Sequence, residues 1–488
     1  MNIRKFDIEN LSDKDATLLH HALLLDESQT EKYCKIKMFE PCGSYTFQNI
    51  SFQCNYTLVR TKEGKGTTEH FYTVYSEKNI IGSGGFGNVY SVSGILEHID
   101  GKMVYREENS EVIKKTINNQ LSSKTEYRIG CKVPDTGYKK NTSVNLKYRA
   151  GNHFVKQKIS FNVMKKLSGL DLTNTIHNHP YTILQRILLS INALIELKRL
   201  DNVGIIQRDI KPENIKVDHA SMMIRIFDFG LAREKAVQDY STCGSYGWRS
   251  PEIDACPQLA DETSDVYSMG MVLRMLFGDE VAEAELEFAR INPSAICAAR
   301  IFQYQMNVNH IIDFKPVMKK RWDLECPSVD IQDLENILLH LTQARPEARA
   351  TIDYAISRFK SLGMQVAFAC NHPKFITMML NNGGMPQYSA FTKAVDAKQW
   401  ECVLAFVKAN PETVENSAAC AKAYGEALHK ADRNQLELID VLMKKNAPIT
   451  FVFPDDNGTY AGCRDLLFTP PSTLPRFEKN AHAQTHSM

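Results

Sequence analysis

The sequence predicts an α+β fold in which a β-rich lobe precedes a larger helical lobe, with a cleft between the two. β-type residues separated by Gly-dense turns fill residues 76–160. From Ile183 to Leu200 the apolar residues recur at the spacing of a buried amphipathic helix, and helical patterns continue to about residue 450. Strands grouped before helices are typical of this fold class. A cleft between lobes is a common place for a ligand.

Composition limits the function classes. At 488 residues the chain has room for two to four domains at roughly 150 residues each. Fifty-eight basic and 57 acidic residues leave a net charge of +1, so no overall field favours nucleic acid as a partner. Twelve cysteines without a CxxC pair indicate reduced thiols and a cytoplasmic location. The sequence has neither an apolar leader nor an apolar run of 18 residues, so we expect no integral membrane segment.

The two ends of the chain flank these lobes. Residues 1–75 are predicted to form an N-terminal extension, with helical spacing near Ala16–Leu25 and β-type residues at Tyr45–Phe47 and Phe71–Tyr75. No chemistry is readable in that extension. Residues 453–488 are rich in Pro and polar residues and are predicted to be a flexible tail.

A glycine-rich run lies at the start of the β-rich lobe. Residues Ile80–Tyr90 have the spacing GxGxxGxV, and glycines allow backbone amides to approach a phosphate closely. A dinucleotide site would need a helix directly after the glycines. β-type residues continue to Val92 instead, so a hairpin that covers a phosphate is predicted. A simple turn between two strands is the alternative.

Two loops in the helical lobe contain the residue types that phosphate chemistry uses. Asp209, Lys211 and Asn214 lie within six positions of one loop, and Asp228 begins an Asp-Phe-Gly tripeptide after a short apolar run. A carboxylate can accept the proton of an attacking hydroxyl, and an ammonium can neutralise charge on a transferred phosphoryl group. Amide and carboxylate oxygens can bind Mg²⁺. A solvated turn is the alternative for either loop alone.

Together and in this order, the three motifs resemble the eukaryotic-type protein kinase family. The resemblance implies a bilobal fold that uses ATP and Mg²⁺. It implies that Asp209 is the catalytic carboxylate, that Lys211 contacts the γ-phosphate, and that Asn214 and Asp228 are metal ligands. Val89 would pack on adenine. The loop over the ATP phosphates would consist of Gly82, Ser83, Gly84, Gly85, Phe86 and Gly87.

The lysine that holds the α- and β-phosphates in this family lies on a strand. Glu111–Thr116 resembles that strand, and Lys114 is preferred over Lys115 as the lysine. A solvated basic strand is the alternative. Glu126 on the following helix would be its partner, although a surface glutamate is an equal alternative. Gly130, one helical turn later, is an unusual residue at a position where the family packs a side chain.

The segment Phe161–Leu172 resembles the strand and hinge that hold adenine. Met164 would be the gatekeeper, and it also suits an ordinary core position. Asp171 would accept a hydrogen bond from the ribose. The hinge, whose backbone groups would bind adenine, would consist of Lys165, Lys166 and Leu167.

Structural motifs of the same family lie outside these loops. Gly244–Glu252 resembles the segment that closes the activation loop, and its Glu252 would form a structural ion pair with Arg349. Ser264–Gly270 resembles the buried central helix, in which Asp265 would hold the backbone of the catalytic loop.

Further details concern the acceptor and regulation. Lys211 and Ser245 match the serine/threonine pattern of the family rather than the tyrosine pattern. Gln207 replaces the usual His, so we expect perturbed packing but no lost reacting group. Arg208 suggests a pocket for a phosphorylated residue, with ordinary polar loop residues as the alternative. The candidates for that phosphorylation are Tyr240, Ser241 and Thr242.

After the kinase-like region of about residues 76–360, residues 361–452 contain three helical segments at intervals of 27 and 36 residues. The segments are Pro373–Gly384, Trp400–Pro411 and Leu436–Pro448. The last one resembles the second helix of an ankyrin repeat, so degenerate ankyrin-like repeats that bind a protein are predicted. A generic helical extension is the alternative. The first repeat is predicted to lean on the last kinase helix, Thr351–Leu362.

Three function classes follow from the resemblance. The leading one is an ATP- and Mg²⁺-dependent protein kinase with a Ser or Thr acceptor. A pseudokinase scaffold and a kinase-fold enzyme that acts on a lipid or small-molecule hydroxyl are the alternatives. A kinase with ankyrin-like repeats is similar to effector kinases that intracellular bacteria inject into the host cytoplasm, and a protist signalling kinase is the other origin considered.

Overall fold

The structure is a computed structural model. It describes residues 3–24, 38–39, 45–47, 50–61, 71–84, 87–150, 153–178, 180–237, 243–255, 260–291, 311–381, 394, 397, 399–409, 451–454 and 460–463. Four sets of predictions therefore lie wholly or mostly outside the described residues. They concern the loop residues Gly85 and Phe86, the phosphorylation candidates Tyr240, Ser241 and Thr242, the third repeat segment Leu436–Pro448, and most of the predicted tail, residues 453–488.

Strands dominate the first 170 residues. In chain order, β1 to β18 are Ile3–Phe6, Met38–Phe39, Tyr45–Phe47, Ile50–Cys54, Thr57–Thr61, Phe71–Gly84, Gly87–Ile99, Lys102–Glu107, Glu111–Ile117, Tyr138–Ala150, His153–Lys165, Leu170–Asp171, Ile205–Ile206, Ile215–Asp218, Met223–Ile226, Arg233–Glu234, Phe451–Pro454 and Tyr460–Cys463. The last two pair with each other, and β17 crosses the predicted start of the flexible tail at residue 453.

Most of the described helices lie after residue 170. In chain order, α1 to α12 are Asp13–Leu24, Gln120–Gly130, Leu172–Asn178, Ile183–Asn202, Pro251–Ala255, Glu262–Leu276, Glu280–Ile291, Pro316–Glu325, Gln332–Leu341, Ile352–Ala369, Pro373–Asn381 and Trp400–Ala409.

The β-rich lobe is built on one eight-stranded antiparallel sheet. Its strands run in the order β10, β11, β9, β7, β6, β5 and β2, and β8 pairs with β7. Alternate residues of a strand point to opposite faces, so Tyr90 and Val92 of β7 are buried on the same side. They pack with Ile113, Phe161 and Val163 from the neighbouring strands. The β7–β8 hairpin lies between the glycine-rich run and Lys114 in the chain.

The predicted N-terminal extension is continuous with this sheet. β5 pairs along the first part of β6, and β6 itself runs across the predicted boundary at residue 75. Phe6, Leu19 and Leu58 form a buried cluster with Val74 and Leu96. β1, β3 and β4 form a separate three-stranded sheet. Local patterns predict that segments are strands but not which strands pair, so the sequence did not show that β2 and β5 share the eight-stranded sheet.

The central helix α6 is buried along most of its length. Asp261 caps its N-terminus by accepting a hydrogen bond from the Thr263 backbone at 2.8 Å, within a capping box with Ser264. Gly270 lies so close to Thr342 that a Cβ would stand 2.7 Å from that side chain. The helix therefore forms a rigid support for the loops that precede it in the chain.

The chain divides into two compact units. The first comprises residues 1–180, 192–313 and 338–352, and the second comprises residues 181–191, 314–337 and 353–488. All the predicted site residues belong to the first unit.

In the second unit, helix α10 runs without a break across the predicted boundary between residues 360 and 361. A Cβ at Gly363 would lie 3.1 Å from Ile187 and 3.3 Å from Phe375, so α11 packs closely on α10. The rings of Phe368 and Phe406 lie 5.9 Å apart, which brings α12 to the same helix. The first two predicted repeat helices thus lean on α10.

Candidate active site

The loop that contains Asp209 is held by hydrogen bonds to a residue of α6, Asp265. The Asp265 carboxylate accepts hydrogen bonds from the backbone N–H groups of Gln207 at 2.6 Å and Arg208 at 2.9 Å. Burial raises the pKa of Asp265 to about 7, although these two N–H groups oppose the shift. Arg208 has a φ of 63°, a left-handed conformation that costs about 1–3 kcal/mol. The two hydrogen bonds help to hold this strained turn, and Asp209 follows it directly.

Both oxygens of the buried Asp209 carboxylate are held. Oδ1 accepts from the Ser245 hydroxyl at 2.7 Å, and Oδ2 accepts from the Asn214 amide at 2.9 Å. Lys211 Nζ lies 3.1 Å from Oδ2 and donates to the Ser245 hydroxyl at 2.7 Å. Hydrogen bonds to an ionised group are short and strong, so this network fixes the direction in which Asp209 faces.

Gln207, which replaces the usual His, lies between the catalytic loop and the Asp-Phe-Gly segment. Its Nε2 donates to the carbonyl oxygens of Phe227 at 3.1 Å and Asp228 at 2.8 Å. The side chain thereby ties the catalytic loop to the Asp-Phe-Gly segment, the role that the usual His has by resemblance. One amide nitrogen carries two hydrogens and can therefore serve both carbonyls. The Oε1 atom of Gln207 is buried and has no hydrogen-bond partner among the described residues.

Asp228 follows the β14–β15 hairpin and contacts the sheet. It has a φ of 62°, and its Oδ1 accepts from Lys114 Nζ at 2.8 Å. Lys114 Nζ also lies 3.0 Å from Glu126 Oε2 and 3.1 Å from Oε1. Burial lowers the pKa of Lys114, but the two carboxylates outweigh it and the pKa is raised. Burial also raises the pKa of Glu126, which Lys114 only partly opposes.

The register at Lys114 agrees with the choice made from the sequence. Lys115 Nζ lies 2.5 Å from Glu77 Oε1 and takes no part in the pair with Glu126. Consecutive residues of β9 face opposite sides of the sheet, so only one of the two lysines can reach Asp228. Val89 is directly opposite Lys114 in the ladder and therefore lies on the same face.

The glycine-rich run forms a β6–β7 hairpin, as predicted. Gly82 pairs with Val89, and Gly84 pairs with Gly87. Ser83 donates to the side chain of Asn88 at 2.7 Å. Gly87 has a φ of 130°, and a Cβ there would lie 2.3 Å from the backbone oxygen of Lys115. Only glycine allows the hairpin to lie this close to β9.

Two of the three predicted hinge residues use their backbone N–H groups within the protein. The backbone N–H of Lys165 donates to the Gly137 carbonyl at 2.9 Å, and that of Lys166 donates to the Ser110 carbonyl at 2.7 Å. These two N–H groups are therefore already engaged within the protein and are not offered to adenine. Of the three predicted hinge residues, Leu167 would then supply the backbone N–H donor for adenine, and the hinge carbonyl oxygens would be the acceptors.

Asp171 has a local partner at the start of α3. Its Oδ1 accepts from the Asn174 backbone N–H at 2.9 Å, and its Oδ2 accepts from the Asn174 side chain at 2.7 Å. This is the pattern of a residue that caps the start of a helix. A ribose hydroxyl would have to share these oxygens, so the ribose contact stays a prediction.

Sequence reasoning missed Tyr138 and Ser122. The Tyr138 hydroxyl donates to Glu126 Oε1 at 2.8 Å, and the Ser122 hydroxyl donates to the Gly230 carbonyl at 3.1 Å. The unusual Gly130 was the one available signal, because a missing side chain in a packed helix indicates that another residue fills the space.

The structural ion pair outside the site is present. Arg349 donates to both oxygens of Glu252, at 2.6 Å and 2.5 Å. Burial by itself raises the pKa of Glu252, but the guanidinium outweighs it and the pKa is lowered. This bidentate pair links the end of the activation segment to the segment after α9.

The oxygen ligands suit a divalent cation. Asn214 donates through its amide nitrogen to the backbone and side-chain oxygens of Asp209, both at 2.9 Å, which leaves its carbonyl oxygen for a metal. Asp228 is partly exposed and has one oxygen held by Lys114. Hard cations such as Mg²⁺ prefer such oxygens. Within the described residues no group of three or more His, Cys, Asp or Glu could hold a metal.

The structure combines a glycine-rich hairpin, an ion pair between Lys114 and Glu126, and the two loops that contain Asp209 and Asp228, the first of which is held by the buried helix α6. This combination is the architecture of a bilobal kinase. The model of the protein kinase domain matches residues 75–358. The chain therefore belongs to the protein kinase family. This confirms the family that the three motifs indicate.

Curated relatives agree with this family. The chain is 27% identical over 219 residues to a "probable serine/threonine-protein kinase" of Corynebacterium efficiens, covering 43% of this chain and 31% of the relative. It is 27% identical over 243 residues to a leaf rust 10 disease-resistance locus receptor-like protein kinase-like protein of Arabidopsis thaliana, covering 48% and 33%. A mitogen-activated protein kinase of Candida albicans is 25% identical over 208 residues, covering 43% and 52%.

The matched region spans about a third of the first two relatives and about half of the third. The domain and these relatives support a serine/threonine protein kinase enzyme. Membership of the family implies, in general, ATP, a divalent metal and a protein substrate. In the described part of the chain no helix combines the length and apolar character needed to cross a membrane.

Proposed function

We propose that the chain transfers the γ-phosphoryl group of ATP, with Mg²⁺, to Ser or Thr hydroxyls of proteins. One observation carries this proposal. The Asp209 network and the Lys114–Glu126–Asp228 cluster are both assembled in the same structure, with Lys114 Nζ 2.8 Å from Asp228. An ion pair between the strand lysine and the helix glutamate, together with a positioned Asp-Phe-Gly carboxylate, is the arrangement that kinases require for transfer.

The proposed nucleotide site follows the face of the sheet that contains Val89 and Lys114. Adenine would pack on Val89 and Met164 and accept a hydrogen bond from the Leu167 N–H. Lys114 would donate to the α- and β-phosphates, since its pKa is raised and it stays charged at neutral pH. The backbone of Gly82–Gly87 would cover the phosphates.

For the chemistry, Asp209 would orient the acceptor hydroxyl and take its proton. The hydroxyl oxygen forms a bond to the γ-phosphorus while the bond from that phosphorus to the β–γ bridging oxygen breaks, and ADP leaves. Lys211, beside Asp209, would neutralise charge on the transferred group. Mg²⁺, held by Asn214 and Asp228, would supply charge neutralisation at the phosphates.

Ser245 favours a Ser or Thr acceptor. Its hydroxyl links Asp209 to Lys211 at 2.7 Å on each side, so it lies where the acceptor side chain must enter. A short Ser or Thr hydroxyl reaches Asp209 only if the peptide backbone comes close to this segment. The segment around Ser245 is therefore proposed as the platform for the acceptor peptide.

A transfer assay separates this function from a pseudokinase scaffold. We expect Mg²⁺-dependent transfer of labelled phosphate from ATP to generic protein substrates, and loss of at least a thousandfold in Asp209→Ala, because removing a catalytic group of this kind costs on the order of 10³ or more. Glu213→Gln, an exposed carboxylate in the same loop, is the matched control and should retain activity. A wild-type chain that binds ATP without transfer would favour the scaffold, and transfer to lipids alone would favour the third class.

The helices after α10 are proposed to bind a protein and so to select the substrate. Their support is the stacking of α11 and α12 on α10, which is typical of helical repeats that expose one face. We also propose that the protein is a bacterial effector that acts on host signalling. Production in cultured animal cells tests this, because cellular proteins should become phosphorylated with the wild type and not with Asp209→Ala.

A further inference from the structure

Tyr138 begins strand β10 directly against the hinge. Gly137 has a φ of 66°, and a Cβ there would lie 2.2 Å from the Cβ of Lys165. The chain comes this close because glycine has no side chain and tolerates the left-handed conformation. Tyr138 pairs with Met164 in the ladder, so its backbone is fixed beside the proposed gatekeeper.

The Tyr138 ring fills a space that α2 leaves open. A Cβ at Gly130 would lie 2.2 Å from the ring of Tyr138, so no other residue fits at this helix position without moving the ring. The Thr136 hydroxyl donates to the Gly130 carbonyl at 2.6 Å and holds the connecting loop against the helix. Gly130, unusual in the sequence, is therefore explained by the ring that lies over it.

From this position Tyr138 reaches two groups of the proposed site. Its hydroxyl donates to Glu126 Oε1 at 2.8 Å, the same oxygen that lies 3.1 Å from Lys114 Nζ. Its ring centre lies 6.2 Å from that of the fully buried Phe229, the residue after Asp228. One side chain thus contacts both the helix glutamate and the Asp-Phe-Gly segment.

We propose that Tyr138 is a positioning residue for phosphoryl transfer. Its hydroxyl holds Glu126 in the orientation that pairs with Lys114, and its ring, seated on Gly130, supports Phe229 and so the direction of Asp228. This inference rests on the proposed function.

The physical reason is the burial of Glu126. A buried carboxylate needs hydrogen-bond donors, and the described residues that face Glu126 are Lys114, Tyr138 and, as a like charge, Asp228. Without the hydroxyl, Lys114 would be the one remaining donor of these. The present orientation of Glu126 would then be held less firmly. The hydrogen bonds of Lys114 would be divided less evenly between Glu126 and Asp228.

Tyr138→Phe tests the hydroxyl while keeping the ring. We expect kcat to fall about tenfold, which corresponds to about 1.4 kcal/mol, with the KM for the acceptor peptide unchanged and Tm within about 2–4 °C of the wild type. Tyr127→Phe is the matched control. Tyr127 lies next to Glu126 on α2, and its hydroxyl donates to the Lys139 carbonyl and not to Glu126. The kcat of Tyr127→Phe should therefore equal that of the wild type.

A double-mutant cycle shows whether Tyr138 acts through Glu126. In a Glu126→Ala background, Tyr138→Phe should lower kcat by less than about twofold, because the acceptor of the tyrosine hydroxyl and the ion pair that it orients are already lost. Full additivity of the two effects would contradict the proposal. Gly130→Ala should also lower kcat, because the added Cβ would displace the ring of Tyr138.

The outcomes separate this proposal from the proposed function. An active wild type with a Tyr138→Phe variant of equal kcat overturns the positioning role and leaves the kinase function intact. A wild type that transfers no phosphate contradicts the kinase function. In that case hydrogen exchange of the α2 amides still decides the point, since Tyr138→Phe should speed exchange near Glu126 and Tyr127→Phe should not, and equal exchange in both overturns the role.

Discussion

Lys114 shows how one side chain joins distant parts of the chain. It is 12 positions from Glu126 and 114 positions from Asp228, yet it contacts both. Its ammonium is nearly fully buried, so both carboxylates are needed to compensate for the water it has lost. Replacement of either partner would leave a buried charge less well compensated.

At the residue scale, Lys114→Ala should lower the rate of transfer at least a hundredfold, and Lys115→Ala should lower it less than about threefold. The reason is that Lys114 faces Asp228 whereas Lys115 faces Glu77, on the other side of the sheet. Steady-state kinetics of the two purified variants measure this. The reverse ranking would move the catalytic register by one residue.

At the scale of elements, α6 acts as the anchor of the catalytic loop. Asp265 accepts two backbone hydrogen bonds from residues that come 58 and 57 positions earlier. Burial raises its pKa to about 7, so the ionised form that best accepts both bonds is gained as the pH rises through neutrality. Ionisation of Asp265 should therefore raise the rate of catalysis and lower the stability of the folded chain.

The sign of the stability effect follows from the raised pKa. Between about pH 4, its unfolded value, and pH 7 the folded chain binds more protons at Asp265 than the unfolded chain, so this residue's contribution to the free energy of unfolding falls as the pH rises through that window. We expect the kcat of the wild type to rise between pH 6 and 8 and Asp265→Asn to lack that inflection. Thermal unfolding between about pH 4 and pH 7 measures the change in stability. An unchanged pH profile in Asp265→Asn would contradict this assignment.

At the scale of the whole molecule, the proposed catalytic residues and the C-terminal helices belong to different compact units. Val366 and Ala367 of α10 are fully buried and Phe368 is nearly so, although all three lie beyond the predicted end of the kinase region. They form part of the core of the second unit. A truncation must therefore spare the whole of α10.

Two truncations separate folding from recruitment. A chain that ends at Asn371 keeps α10, and we expect transfer to generic peptides within about threefold of the wild type but weaker selection of the physiological substrate. A chain that ends at Met364 loses these three buried side chains. Burial of the two larger ones, Val366 and Phe368, contributes about 1.5–3 kcal/mol each, so this chain should be poorly folded. Circular dichroism and peptide kinetics measure both. A folded but inactive chain ending at Asn371 would place the C-terminal helices in the catalytic machinery.

The sequence by itself determined the family and the residue types of the site. Asp209, Lys211 and Asn214 lie in one short loop, so their chemistry is legible without a fold, and the glycine spacing predicts its hairpin in the same way. The burial pattern of α6 and the pair of Arg349 with Glu252 were also predictable from motifs of fixed composition.

Only the tertiary structure decided which distant groups meet. It joined β5 of the N-terminal segment to the sheet, engaged the hinge N–H groups of Lys165 and Lys166, and placed Tyr138 over Gly130 and against Glu126. None of these contacts follows from local spacing, because strand pairing and the filling of a space depend on the whole packing arrangement. A missing side chain in one element is satisfied by a side chain from another, and close packing of the interior selects that partner.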